Sequence, residues 1–211
     1  VSVSGGDYTS DALIIAMGAN NKRLNVPGEE EFIGRGVSYC GTCDSRFYRD
    51  KDIHVVGGGD SALEEAIFLT RFAHSVTIIH RRDTLRAGAI LENRARTNPK
   101  ISFLLDSVVK EIRGHEGVDE LLVENVKTGG KNIIPTDGIF IFIGHSPNTK
   151  FFEGQLEMEA GGTLKVNEFM ETNKKGVFAA GEIADPHFRQ VVTSAGMGAA
   201  AAISATRCLE A

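Results

Sequence analysis

A short apolar run, Asp52-Ile53-His54-Val55-Val56, passes directly into Gly57-Gly58-Gly59-Asp60-Ser61-Ala62, and no other stretch limits the fold as tightly. The next residues place Ala62, Leu63, Ala66, Ile67, Leu69 and Phe72 at helical spacing, with Glu64, Glu65 and Arg71 on the other face. Ser75-Val76-Thr77-Ile78-Ile79 then reads as a second strand. Strand, glycine turn, helix and strand in this order make a βαβ unit with a GxGxxA fingerprint, and so an α/β fold. Gly57 permits the tight turn, Gly59 lets backbone approach a pyrophosphate, and Ala62 lets the helix pack on the strand. The first N–H groups of the helix carry partial positive charge toward the phosphates. A lone glycine triplet is equally an ordinary loop; the flanking elements favour dinucleotide binding.

The end of the second strand selects the dinucleotide. An NAD site has Asp or Glu about 20 residues past the fingerprint, where it bonds the ribose hydroxyls. Here the chain reads His80-Arg81-Arg82, with Arg86 a turn later. Guanidinium forks grip a 2′-phosphate that a carboxylate would repel, so the pattern points to NADP. The bland alternative is a solvated basic patch.

Upstream, Tyr39-Cys40-Gly41-Thr42-Cys43-Asp44 has the spacing that lets two thiols close a small, reducible ring. Asp44 is placed to move the proton that thiol–disulfide exchange must put somewhere. Half a zinc site is one competing reading, although no second CxxC supplies the remaining ligands. Two inert thiols are the other. Cys208, the third cysteine, sits in a C-terminal run that reads as a structural helix.

Four stretches, SYCGTCDSRFYRDKDIHVVGGGDSALEEA, TIIHRRDTLRA, FIFIGHSPNT and GVFAAGEIADPHFRQVVTSAGMGAAAA, together resemble the low-molecular-weight thioredoxin reductases along essentially the whole chain. The resemblance implies a two-domain FAD/NAD(P)-binding fold, Rossmann-like with three ββα layers. It implies NADPH and FAD as cofactors, thioredoxin or a thioredoxin-like protein as partner, and a homodimer. Residues 1–21 and 146–211 would belong to the flavin domain, and residues 22–145 to the NADPH domain with Cys40, Cys43 and Asp44. The family's first GxGxxG has no counterpart here, so the flavin domain is expected to be incomplete at its N-terminus and the isolated chain impaired in activity. Linkers near 20–36 and 144–149 would let the NADPH domain swing. The Gly144-His145-Ser146-Pro147-Asn148 turn resembles the return crossing, with Gly144 at the cofactor and His145 structural. Gly181 and Glu182 match the family's glycine-acid step at FAD, with Glu for the usual Asp. Arg189, Gln190 and Val191 match the step that meets the isoalloxazine ring, and the helix start at 190–193 offers N–H groups to it. Two departures stand near the redox and phosphate sites. Gly41 replaces the usual Ala and loosens the loop, and Asp60 replaces the frequent Asn, either weakening pyrophosphate binding or capping the helix. Rival readings are the flavoprotein reductase of a peroxidase system, a ferredoxin-driven relative, which would not need the arginines, and a non-catalytic NADPH-binding fragment.

The remaining chain supports this layout. Val1 to Tyr8 reads as one strand turning into another, and 11–18 as a buried strand. Residues 87–96 form a helix, 101–105 a strand, and 108–112, 120–126 and 132–134 an antiparallel meander. Residues 138–143 are an almost wholly apolar strand, and 192–209 a small-residue helix. Net charge is −5, which gives no global attraction to nucleic acid or an anionic membrane. No apolar run approaches the length of a membrane span. Three cysteines without a signal peptide fit a reducing, cytoplasmic setting.

Overall fold

Alternation of apolar residues along neighbouring strands builds the largest core of the molecule. The computed structural model describes residues 2, 3 and 5–210, so Val1, Ser4 and Ala211 lie outside the described residues. The chain divides into two compact units, one formed by 1–20 with 145–211 and one by 21–144.

In chain order, β1 (Ser2–Val3) and β2 (Gly6–Asp7) pair antiparallel, and β3 (Leu13–Ile15) and β4 (Ala19–Asn21) follow. The second unit then runs through β5 (Val37–Ser38), α1 (Gly41–Asp44), β6 (Asp52–Val56), α2 (Asp60–Leu69), β7 (Ser75–Ile79) and α3 (Ala89–Arg96). It continues through β8 (Ile101–Leu104), β9 (Ser107–Gly114), β10 (Val118–Asn125), β11 (Lys131–Pro135) and β12 (Gly138–Ile141). The chain returns to the first unit at β13 (His145–Pro147), and ends with β14 (Val177–Ala179) and α4 (Val191–Glu210).

The second unit has three layers. Its middle is a five-stranded sheet in the order β5-β12-β6-β7-β8, parallel throughout. Because side chains alternate along a strand, Ile53, Val55, Val76 and Ile78 face one way and meet Ala62, Leu63, Ala66 and Leu69 of α2. Val56, Ile79, Ile139 and Ile141 face the other way and meet Val109, Ile112, Leu121 and Val123 of the antiparallel β11-β10-β9 sheet. Helices, parallel sheet and antiparallel meander give the ββα arrangement expected of the fold class.

One local reading needs correction. Residues 20–36 look like a linker because of Pro27 and Gly28, yet most of this segment is built into the second unit. Phe32 is 3% exposed, and Leu24 and Val26 pack beside it against Val37 and Ile112. Pro and Gly mark turns, but the apolar residues between them find a core that local sequence does not show.

In the first unit β3 and β14 pair parallel, with α4 against them. Ile15, Leu164, Ala179 and Ile183 form one small core, and Phe178, Ala180, Ala201 and Ala205 another. Among the described residues, no helix is long and apolar enough to cross a membrane.

Candidate functional site

All strands of a parallel sheet end on the same edge, and ligands of such folds bind there. Cys40 follows the end of β5, Gly57 the end of β6, His80 the end of β7 and Phe142 the end of β12. Through the strand register, Ser38 lies level with Phe140, which lies level with Val55. The redox turn and the glycine turn therefore leave one sheet edge two strand spacings apart, about 10 Å.

Cys40 and Cys43 are joined in a disulfide with Cα atoms 5.3 Å apart. Cys40 is the N-cap of α1, and Cys43 N–H donates to its sulfur at 3.2 Å. Exposure is uneven: Cys43 is open to solvent and Cys40 is half-buried. The buried Ser38 hydroxyl donates to Asp44 Oδ2 at 2.6 Å, which holds that carboxylate beside the turn. Ser38 Oγ also accepts Cys40 N–H at 3.1 Å, so one hydroxyl ties the acid to the first cysteine. Ser38 opens the cysteine stretch, but the sequence assigned it no role. Gly41 does more than loosen the loop, as it is buried, and a Cβ there would meet Glu65 Oε2. That oxygen has no partner among the described residues. Burial, with the Glu64 charge adding to it, raises the Glu65 carboxyl above the usual range.

The second unit also holds a cavity of about 730 Å³ at the same sheet edge. Gly57, Gly58, His80, Arg81, Arg82 and Arg86 line it, all named from sequence. The glycines stand where no side chain fits. A Cβ on Gly57 would meet Ala62 Cβ at 2.5 Å and Phe142 O at 2.6 Å, and one on Gly58 would meet the His80 ring. Gly59, not Asp60, is the N-cap of α2. Asp60 Oδ1 instead accepts Gly88 N–H at 2.7 Å, so the capping alternative does not hold. Asp60 and Ser61 are exposed and Ala62 is fully buried, its methyl against the glycine turn. None of these three lines the cavity.

His80 differs from its arginine neighbours. It is buried, it contacts the Thr84 carbonyl through Nε2, and burial followed by the surrounding arginines lowers its pKa. It shapes the cavity as a neutral ring. Arg81, Arg82 and Arg86 are exposed, and no ion pair holds them among the described residues. The nearby acid Asp83 is taken by Lys127 at 2.9 Å. Three uncompensated guanidinium groups beside a glycine turn fit the adenosine end of NADPH. Sequence reasoning gave no role to the rest of the lining: Lys22 to Asn25, Val56, Ile79, Ser107 to Val109, and Phe142 with Ile143. Lys22 to Asn25 and Ser107 to Val109 come from distant segments without a motif. Gly144, in left-handed conformation at φ 111°, lies outside the lining but takes Lys22 N–H on its carbonyl.

In the first unit Gly181 has φ 82° and Glu182 is half-buried. Asp185, given no role from the sequence, organises the approach to α4. It accepts N–H groups from His187, Phe188 and Arg189, and the Thr193 hydroxyl. Burial opposes its ionisation, but those bonds win, and its pKa is lowered. Arg189 is thereby held in left-handed conformation, with Nη1 2.7 Å from His145 Nδ1 and Nη2 on Pro186 O. His145 is thus an anchor for Arg189. Arg189 Nε is buried without a partner among the described residues, a donor that a group rich in acceptors would satisfy. Val191 opens α4 almost fully exposed, and Gln190 precedes it. The residues present fit the ring edge of a flavin. A separate cleft of about 500 Å³, bordered by Lys174, Lys175 and Arg207, contains none of the residues named from sequence.

A model of the family described as pyridine nucleotide-disulphide oxidoreductase matches residues 1–198. The chain is 48% identical over 203 residues to the thioredoxin reductase of Streptomyces coelicolor, covering 96% of this chain and 63% of that protein. It is 46% identical over 211 residues to the thioredoxin reductase of Bacillus subtilis, covering 100% and 67%. The crystal structure of thioredoxin reductase from Streptococcus pyogenes matches with a TM-score of 0.90 at 46% identity, over 94% of this chain and 65% of that one. The chain therefore spans about two thirds of the length of the curated relatives it matches.

Proposed function

The chain belongs to the pyridine nucleotide-disulphide oxidoreductase family, and on that premise we propose that it is a thioredoxin-disulfide reductase driven by NADPH. One observation carries the reading: a disulfide and an arginine-lined dinucleotide cavity leave the same edge of one parallel sheet. The unit 21–144 binds NADPH, with pyrophosphate at the Gly57–Ala62 turn and 2′-phosphate at Arg81, Arg82 and Arg86. The other unit contributes Gly181, Glu182, Arg189, Gln190 and Val191 to FAD. When bound, FAD supplies the two-electron carrier chemistry between nicotinamide and disulfide.

Reducing Cys40–Cys43 takes two electrons and two protons. A hydride from NADPH accounts for both electrons and one proton, and solvent supplies the second proton through Asp44, which Ser38 holds in place. A thiolate of the pair then attacks the disulfide of thioredoxin. The second thiol displaces the mixed disulfide, which restores Cys40–Cys43 and releases dithiol thioredoxin. The exposed Cys43 and the exposed Phe47 and Arg46 beyond it make this end of the unit open to a protein surface. The same reading makes the working protein a cytoplasmic homodimer, supported by family membership.

The test follows NADPH oxidation with oxidised thioredoxin and added FAD. Cys40→Ser is expected to abolish thioredoxin reduction while the NADPH dissociation constant stays within about twofold, since the cysteine does not line the cavity. Thioredoxin reduction that persists in Cys40→Ser would sink the proposal.

A further inference from the structure

Part of the lining of the dinucleotide cavity, Lys22 to Asn25, has no helix of its own and comes after a strand that stops at Asn21. Its backbone is fixed by three bonds. Lys22 N–H donates to Gly144 O at 2.9 Å. Leu24 N–H donates to Glu29 Oε1 at 2.8 Å, and Asn25 N–H to Glu29 Oε2 at 2.6 Å. Asn25 sits at φ 57°, a left-handed conformation that asparagine adopts more readily than most side chains, and its N–H is held there by Glu29. Glu29 is 3% exposed, and its Oε1 also accepts the Tyr39 hydroxyl at 2.7 Å. Burial, then the carboxylate itself, raises the Tyr39 phenol far above its ordinary range, so it remains a donor.

Burying a carboxylate is costly unless its lone pairs are met, and here three donors meet them. Two of these donors line the cavity and the third belongs to the residue before Cys40. Among the cations on this segment, Arg23 is paired with Glu30 at 3.2 Å, whereas Lys22 has no ion pair among the described residues. The Lys22 side chain is exposed, and its stem lies within 3.5 to 3.8 Å of where a Cβ on Gly144 would stand.

We infer that Glu29 is a positioning residue for the dinucleotide: its carboxylate fixes the Lys22–Asn25 wall so that the Lys22 ammonium meets the phosphates in the cavity that Arg81, Arg82 and Arg86 also line. The inference rests on the dinucleotide reading of that cavity, and it adds a cation that lies outside the fingerprint and the arginine cluster. A carboxylate that only stabilised the fold would leave the ionic part of binding untouched.

The experiment titrates NADPH into the 211-residue chain at several salt concentrations. Lys22→Ala is expected to weaken binding about fivefold and to flatten the dependence of log Kd on log salt by close to one charge. Glu29→Gln, which turns one acceptor into a donor facing an N–H, is expected to weaken binding about tenfold. The double variant should bind no more weakly than Glu29→Gln alone, because Lys22 acts only from a fixed wall. Additive losses overturn the inference. Should Glu29→Gln fail to fold, Lys22→Ala still decides: an unchanged Kd and an unchanged salt slope overturn it. Arg81→Ala with Arg82→Ala serves as the reference. If that variant binds NADPH like the parent, the dinucleotide reading itself fails. If it weakens while Lys22→Ala and Glu29→Gln do not, only the positioning role fails.

Discussion

Charge at single positions carries the proposed choice of dinucleotide. Asp83 is the one acid within the 80–86 segment, and Lys127 occupies its carboxylate, so the three arginines keep their charge for a ligand. Charged hydrogen bonds of this type contribute roughly 1.5–3 kcal/mol each, at the lower end when exposed. Replacing Arg81 and Arg82 with alanine should therefore raise the KM for NADPH about 10- to 100-fold and leave that for NADH nearly unchanged. Steady-state assays with both dinucleotides measure this; equal losses would show that the arginines do not read the 2′-phosphate. The arginines are legible in the sequence because charge type is a local property. The buried position of His80 is not, because it needs Gly58, 22 positions earlier, to leave room for its ring. The same holds at Gly41, whose missing side chain leaves room for Glu65.

Elements are legible where one repeat dominates. The short apolar runs of β6 and β7, buried on both faces between α2 and the antiparallel sheet, and the helical spacing of α2, which buries one face, survive in the fold. The turn between β6 and α2 is correspondingly intolerant. Gly57→Ala would drive a methyl into Ala62 and the Phe142 carbonyl, which are parts of the helix start and a neighbouring sheet strand's end. A loss of about 2–3 kcal/mol in unfolding free energy is expected, with NADPH binding lost in parallel. Urea denaturation checks the first and titration the second; wild-type stability would mean the turn can open. Segment 20–36 misleads for the opposite reason. Its apolar residues follow no repeat, and only contact with Val37 and Ile112 reveals that they are core.

Across the second unit, stability should depend on pH through a group outside both the redox turn and the cavity lining. His54 lies in β6, 7% exposed, with Nδ1 2.8 Å from Thr136 Oγ1. Thr136 gives its own hydrogen to Gly138 O, so the network assigns the His54 proton to Nδ1. Burial lowers its pKa from 6.5 to about 4, against a weaker opposing pull from Asp52. A histidine with a lowered folded pKa binds protons only after unfolding across that interval. Stability is therefore full above about pH 6.5 and falls as pH drops toward 4, by up to about 3 kcal/mol. Asp52, whose pKa is lowered by Ser75 and His74, adds a further loss at lower pH. Denaturation midpoints between pH 7 and 4 test this, and His54→Gln should flatten the upper part of that limb. A slope unchanged by the substitution would assign the effect elsewhere.

The sequence by itself determined the βαβ unit, the cysteine pair, the basic strand end and the family resemblance. Each of these depends on residue type and on neighbours a few positions away, which a linear pattern preserves. Tertiary structure alone decided that Ser38 steadies Asp44, that Glu29 and Asn25 build a cavity wall, and that Asp185 sets the conformation of Arg189. Buried carboxylates and hydroxyls take their function from whichever N–H or O–H the fold delivers, and that geometry has no period along the chain.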